Sequence, residues 1–499
     1  MKLSICTLIT CLLALGASAA SDPASLLAHI LAEKGTISAA ELSQVESAAA
    51  GERVDRLAAI LQQKGILTGT ELARLSVPGN EVADPPATVM AGTRALDAPA
   101  GSPPAQTTHR TTPAAPPVVA QSKVPVTIYG TLLLSSFYNT AGTNNQDIPL
   151  FTTKQGSDPS GGDKNFGMTA RQSRLGLRYQ GTQVGNANIS GLFEIDLMGG
   201  KAGFANGIDM DMFRLRLAYG RLDWQKFSIE AGQDWSVFSP LNPTSLAEYG
   251  IPSFSASGNL WIRTPQLRAE YRSSMSDSSR VLWQIAATDP NIGDYSTTTF
   301  ASLRTPSIGE RGRMPALDAR TGWTTRYDDR DFTLGLSAHY GRAKNFGTVA
   351  GQNVQPGVDS WGVSLDYTLP VTHFLAFTGE AFAGKALGIF SATSGEVVLP
   401  PGTPGQHGVE ARGGWAQAQV NFNARWQANL TYGLESASAA QLPVGNRSRN
   451  QTYMGNIMFK VSPALTFAWE YRRLLTDFRN QPLANERGDH VDLGIAYMF

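Results

Sequence analysis

Cysteine is nearly absent: the 499 residues hold 2, Cys6 and Cys11. Both fall in MKLSICTLITCLLALGASAA, where Lys2 precedes an apolar run from Leu3 to Leu15 and Ala17, Ser18, Ala19 and Ala20 close it. That is the pattern of a secretory signal peptide over 1–20, whose removal leaves a thiol-free mature chain. Disulfides, thiolate catalysis and cysteine-ligated metals are excluded from that mature chain. Net charge is also missing, with 41 basic against 41 acidic residues, which removes the plainest argument for a nucleic-acid partner. Lysine is scarce, 11 of the 41 basic residues, so the cations are mostly arginine. After the leader no run of about 18 apolar residues occurs, so a membrane could be entered only as strands. No phosphate loop, dinucleotide fingerprint or metal-ligand spacing is present. The histidines are 29, 109, 339, 373, 407 and 490, and no paired motif surrounds any of them. The expectation is a protein without catalytic residues, cofactor or metal.

What is present divides into three parts after the leader. Region 21–77 repeats itself at a period of 30: LLAHILAEKGTISAAELSQVE from Leu26 and RLAAILQQKGILTGTELARLS from Arg56 share Lys-Gly and Glu-Leu at matching places. Each unit has helical apolar spacing, a glycine stop and a second helix opened by Ser38-x-x-Glu41 or Thr68-x-x-Glu71. These are capping boxes, in which hydroxyl and carboxylate each satisfy a free backbone N–H. The spacing predicts two short helical hairpins that pack together or self-associate, because neither can bury its apolar face alone. Region 78–122 has proline at 78, 85, 86, 99, 103, 104, 113, 116 and 117 among Ala, Thr and Ser, the composition of an extended tether.

From Lys123 to Phe499 the periodicity becomes two. In MFRLRLAYG, Phe213, Leu215, Leu217 and Tyr219 alternate with Arg214 and Arg216. The closing HVDLGIAYMF sets Val491, Leu493, Ile495, Tyr497 and Phe499 against His490, Asp492 and Ala496. Alternation also suits a soluble sandwich, but three further features favour a barrel. Aromatic residues, Tyr129, Tyr179, Trp261, Trp323, Tyr340, Trp361, Trp415 and Trp426, mark the ends of apolar faces as interfacial girdles do. Short connections near 182–186, 222–226, 274–280, 328–331, 369–373, 424–425 and 461–464 take turns with long ones. The chain ends on an apolar-face aromatic, which allows the sheet to close. The fold class is therefore all-β, an antiparallel transmembrane β-barrel of about sixteen strands over 123–499, preceded by a small α-helical region in the periplasm.

Sixteen strands enclose water, so the inward rows describe a lumen for passive diffusion of small hydrophilic solutes. Alternation assigns Arg174, Arg178, Arg214, Arg216, Arg268 and Arg272 to it, with the acids Glu194, Asp196, Glu230, Asp234 and Glu270 on the same strands. Arginine keeps its charge and grips carboxylate or phosphate with two donors, which suits an anion ladder. The third long loop, SVFSPLNPTSLAEYGIPSFSASGN, is apolar and proline-rich with one charge, Glu248. It is expected to fold inward as a constriction with Glu248 facing the arginine rows.

FGMTARQSRLGLRYQG (166–181), FRLRLAYGRL (213–222), GQDWSVFSP (232–240), PQLRAEYR (265–272) and the strand ending in Phe499 resemble the DcaP-like porin family of Gram-negative outer membranes. The resemblance implies a homotrimer with one pore per subunit, a periplasmic helical extension, and preference for small anionic solutes. It implies an eyelet lined by Arg174, Arg214, Arg216, Arg268 and Arg272. The 30-residue repeat and long tether depart from one continuous coiled coil. An alternative role for the chain is structural, tethering the outer membrane to the cell wall through residues 22–75.

Overall fold

The computed structural model describes residues 23–33, 35–49, 52–64, 125–154, 164–181, 183–200, 211–290, 292, 306–327, 329–390, 398–479 and 485–499. The signal peptide, the Thr68-x-x-Glu71 capping box and the proline-rich tether lie outside them. The chain divides into two compact units, residues 1–115 and 116–499.

In the first unit, α1 (Pro23–Glu33) and α2 (Ala39–Glu46) come from the first repeat and α3 (Arg53–Gln63) from the second. Leu27, Leu31, Val45, Leu57, Ile60 and Leu61 close into one apolar cluster, so the two repeats share a core that neither could form alone. The capping box at α2 forms as its sequence dictates. Ser38 Oγ accepts from the Glu41 amide at 3.3 Å, and the Glu41 carboxylate accepts from the Ser38 amide at 2.5 Å. That backbone bond, with Lys64 at 3.0 Å, holds the Glu41 carboxyl below its ordinary value. A carboxyl depressed in the folded state adds stability above its unfolded pKa and loses it as pH falls through the folded one. Ser38→Ala is expected to cost about 1 kcal/mol locally. Amide exchange in the first turn of α2 should then quicken roughly fivefold at neutral pH.

The second unit is a closed meander. Its strands are β1 (Val126–Asn139), β2 (Asn165–Thr169), β3 (Arg174–Gln180), β4 (Asn188–Asp196), β5 (Arg214–Asp223), β6 (Phe227–Trp235), β7 (Arg263–Ser274), β8 (Ser279–Thr288), β9 (Ala316–Tyr327) and β10 (Arg330–Lys344). After a small hairpin of β11 (Gly347–Val349) and β12 (Gln352–Val354) come β13 (Gly357–Pro370), β14 (Leu375–Lys385), β15 (Glu410–Asn421), β16 (Trp426–Ala437), β17 (Arg447–Lys460), β18 (Leu465–Phe478) and β19 (Asn485–Met498). β2 and β3 are two pieces of one stave, both paired with β1, so sixteen antiparallel staves form the wall. Closure comes from β1 against β19, with Leu134 opposite Ile495. Gly130 and Phe499 exchange two backbone hydrogen bonds of 3.0 and 3.1 Å, so the last residue completes the ring and no edge is left to pair.

Period-two patterning gives the wall its two faces. Leu132, Leu267, Leu336, Leu365, Leu430 and Leu493 stand exposed on the outside, while Ser135, Asp366, Gln417, Asn429, Asn456 and Asp492 are buried on the inside. An exposed apolar belt of this extent is stable only against lipid.

A bulge in β5 breaks the sequence alternation. A register shift between Glu194 and Ile195 against β5 leaves Arg216 as an extra residue. Beyond that bulge Tyr219 lies on the face of Arg221 and Asp223, inside, and Leu217 is buried, where unbroken alternation puts both outside. Among the expected girdle aromatics, Tyr129 and Trp415 also face inward. Tyr129 donates to Glu194 Oε2 at 3.0 Å, and Trp415 packs on Phe254 and Met454. Trp261 sits in the loop before β7, donating to Ser255 Oγ at 2.6 Å. Trp323, Tyr340, Trp361 and Trp426 are exposed on the outer face.

Candidate functional site in the barrel lumen

The site is built by the connection between β6 and β7. Residues 236–262 do not stand off the barrel; they fold into the lumen, and most of the segment is buried there. Local sequence permits this, because Pro240, Pro243 and Pro252 deny the segment a strand and its single charge leaves little to desolvate. Its backbone polar groups, which burial would orphan, are claimed one by one by inward side chains. The Leu241 amide donates to Glu380 Oε1 at 2.6 Å, and Asn456 donates to the Thr244 carbonyl at 2.9 Å. Gln172 accepts from the Tyr249 and Gly250 amides at 2.7 and 2.8 Å and donates to the Ala247 carbonyl at 2.8 Å. The Tyr249 hydroxyl meets Thr131 Oγ1 of β1 at 3.0 Å, and Asn456 stands on β17, eight staves round from β7, so the loop crosses the channel.

Gly258 marks a tight contact. Its φ is +99°, and a Cβ there would lie 2.2 Å from the Gly414 carbonyl oxygen. Gly258→Ala is expected to leave the barrel closed but to strain the loop by about 1–3 kcal/mol. A folded, heat-modifiable barrel with faster proteolysis confined to 236–262 is the outcome to look for.

Three ionic groups surround the loop. In the first, Arg214 meets Asp196 at 2.5 Å, and Arg216 meets Glu194 at 2.6 Å and Asp196 at 3.1 Å. Arg214 and Arg216 also donate to the Gly250 carbonyl at 2.6 and 3.1 Å. Arg174 donates to the Tyr249 carbonyl and lies over the Tyr249 ring at 3.5 Å. Arg263 stacks on Trp235 and Trp261 at 4.8 and 5.1 Å. Among the described residues neither Arg174 nor Arg263 has a carboxylate partner, so this group holds four arginines against two acids.

The second group lies nearer the short turns. Arg221 bridges Asp223, Glu230 and Glu270 at 2.9, 3.1 and 2.6 Å, while Arg268 meets Glu230, Asp234 and Glu270 at 2.6, 2.8 and 3.2 Å. Arg272 reaches Asp223 and Glu270 at 3.2 and 3.3 Å. Arg178 is exposed, with its guanidinium 5.2 Å from the Tyr129 ring.

The third group is where Glu248 ends up. It pairs with Arg472 of β18, which also pairs with Glu470 at 2.5 Å and donates to Ser253 Oγ at 2.7 Å. The expectation that Glu248 faces the arginines of β3, β5 and β7 meets a different geometry: loop carbonyls face the arginines of β3 and β5, and the carboxylate docks on Arg472 of β18. Arg472 had no signal in the sequence as a loop anchor, because its partner is more than 200 residues away.

A histidine pairing invisible in sequence also appears. His339 Nδ1 lies 2.6 Å from Asp318 Oδ1, and its Nε2 lies 3.2 Å from Ser360 Oγ. These residues sit on β9, β10 and β13, brought together by register alone. The order resembles a hydrolytic triad, but Ser360 Oγ donates its proton to the Ala386 carbonyl at 2.9 Å, and all three side chains are buried. A nucleophile needs that proton aimed at the histidine and its oxygen open to substrate. Packed against Phe238 and Phe390, the group braces the loop.

No family model matches the chain, and no curated protein matches it by sequence. Among solved structures, the outer membrane channel DcaP of Acinetobacter baumannii is 20% identical over 76% of this chain and 99% of its own, with a TM-score of 0.56. The chain has a DcaP-like porin fold. Looser likenesses run to an anion-selective porin from Comamonas acidovorans (13% identical, 76% of this chain and 100% of that one, TM-score 0.46) and to Pseudomonas putida OprB (11%, 75% and 94%, 0.47). At 20% identity the likeness to DcaP shows the fold alone.

Proposed function

We propose that the protein is an outer-membrane porin, a trimer with one channel per subunit, passing small hydrophilic solutes with a preference for carboxylate and phosphate anions. The signal peptide and the tether would place the N-terminal helices in the periplasm. One observation carries the sign of the preference. Most inner-wall acids are sealed away: Glu230, Glu248, Glu380 and Glu470 are at most 3% exposed, held beneath the loop or within ion pairs, while Asp223, paired with Arg221 and Arg272, keeps part of its surface open. Arg178 is exposed, and Arg174, Arg214, Arg221 and Arg272 keep part of their surface open to water. A permeating ion therefore meets guanidinium groups, and the first group adds two uncompensated positive charges beside the loop. Arginine pairs with anions briefly and reversibly in water, which speeds entry without trapping the solute.

The mature chain in a planar bilayer under a salt gradient tests this. An anion-signed reversal potential with discrete conductance steps supports the reading. A cation-signed potential removes the anion preference, and folded barrels without conductance remove the pore.

A further inference from the structure

The outer surface of the barrel is not uniform around its circumference. At the long-loop ends of β2, β5 and β9, Phe166, Phe213 and Leu317 stand exposed. On β15 and β17 the corresponding outward positions are Arg412 and Arg449, both exposed. Register places Arg412 directly opposite Ser436 of β16, and Ser436 directly opposite Arg449, so the two guanidinium groups flank one serine across three strands. Neither has an ion-pair partner among the described residues, although Asp477 stands opposite Arg449 and Glu410 lies two residues from Arg412. Arg449 interacts with Tyr432 and Asp477 on the same face, and its remaining donors, with those of Arg412 about 10 Å away across three strands, suit a phosphate, which offers several acceptor oxygens to both forks.

The surface here is also concave. A niche of about 510 Å³ is lined by Trp361, Ala383, Glu410, Arg412 and Ser436 at the rim, with Arg449 standing across Ser436 beside it. Below it on β15 and β16 runs an apolar slot of about 530 Å³, lined by Ala416, Ala418, Leu430, Tyr432 and Tyr453. The small side chains Ala416 and Ala418 make the slot, and the aromatic pair Tyr432 and Tyr453, with rings 4.8 Å apart, forms its wall at girdle height. A charged niche above an apolar slot, both facing lipid, has the polarity profile of one amphipathic molecule standing upright in a leaflet.

We propose that the outward face of β15–β17 holds one anionic phospholipid, its phosphate between Arg412 and Arg449 and an acyl chain in the slot beneath. The inference rests on the barrel standing in a membrane and is independent of what the lumen conducts.

The test uses the full chain in non-ionic detergent, with native mass spectrometry after titration of phosphatidylglycerol, phosphatidylcholine or inorganic phosphate. Retention of one phosphatidylglycerol is expected, bound at least tenfold tighter than phosphatidylcholine. The double variant R412Q/R449Q and the slot-filling variant A416F should each weaken it about tenfold. R342Q/K344Q, on β10 of the same rim, should change it less than twofold. Heat-modifiability confirms that each barrel is folded. Equal binding of phosphatidylcholine, equal competition by inorganic phosphate, or equal loss in R342Q/K344Q overturns the proposal. So does a folded wild type that retains no lipid, whatever its conductance.

Discussion

Arg472→Met is expected to loosen the loop across the channel more than any other single change. The guanidinium is 1% exposed and bonds to Glu248, Glu470, Ser245 and Ser253. Removing it leaves two carboxylates in a buried site with no cation, which typically costs about 3–5 kcal/mol. The barrel's ladders are untouched, so the cost falls on docking of 236–262 and should appear as larger, noisier single-channel conductance. Glu248→Gln keeps Arg472 paired with Glu470 and replaces a charged bond with a neutral one, so its cost is about 1–2 kcal/mol. The order of the two effects is the check. Unchanged conductance in folded R472M channels, or a larger effect from E248Q, would mean the loop is held by its backbone bonds to Gln172, Glu380 and Asn456 alone.

The second expected result concerns ion selectivity. Arg174 and Arg263 are the two arginines of the first group without a carboxylate partner, so their charges act on the channel without local cancellation. An ion roughly 7 Å from a unit charge in a water-like dielectric feels about 0.6 kcal/mol, close to a threefold change in its local concentration. Anion and cation move in opposite directions, so each neutralised arginine should lower the anion-to-cation ratio by close to an order of magnitude at low salt. R174Q and R263Q should therefore shift the reversal potential towards the cation side, and high salt should shrink the shift by screening. Arg268→Gln, which loses a cation held by three acids, offers the contrast: Glu230 and Glu270 remain paired with Arg221 and Arg272, and Asp234 alone loses its cation. A shift in R268Q with none in R174Q or R263Q would place the selective charge in the second group.

Much of this molecule could be read before its structure. Period-two alternation, the turn-taking of short and long connections and the terminal Phe499 identify a barrel, because each stave must satisfy a lipid face and a water face within its own residues. The capping box at Ser38 and Glu41 is legible for the same reason, since both partners lie within one helical turn. The inward placement of Arg174, Arg214, Arg268 and Arg272 follows from alternation too.

Alternation fails where geometry departs from a regular ladder. The bulge at Arg216 turns Tyr219 inward, and Tyr129 and Trp415 serve Glu194 and the loop instead of the interface. Partners distant in sequence were equally out of reach: Glu248 with Arg472, Asp318 with His339 and Ser360, and Arg412 with Arg449 across Ser436. The sequence by itself determined the faces of most strands and the number of staves, because these depend on local periodicity and composition. Only the tertiary structure decided which charges are cancelled, which acids are sealed from water and where the loop docks. Those depend on register between strands and on the path of one segment through the lumen, and pairwise electrostatics changes sign with a shift of a single residue.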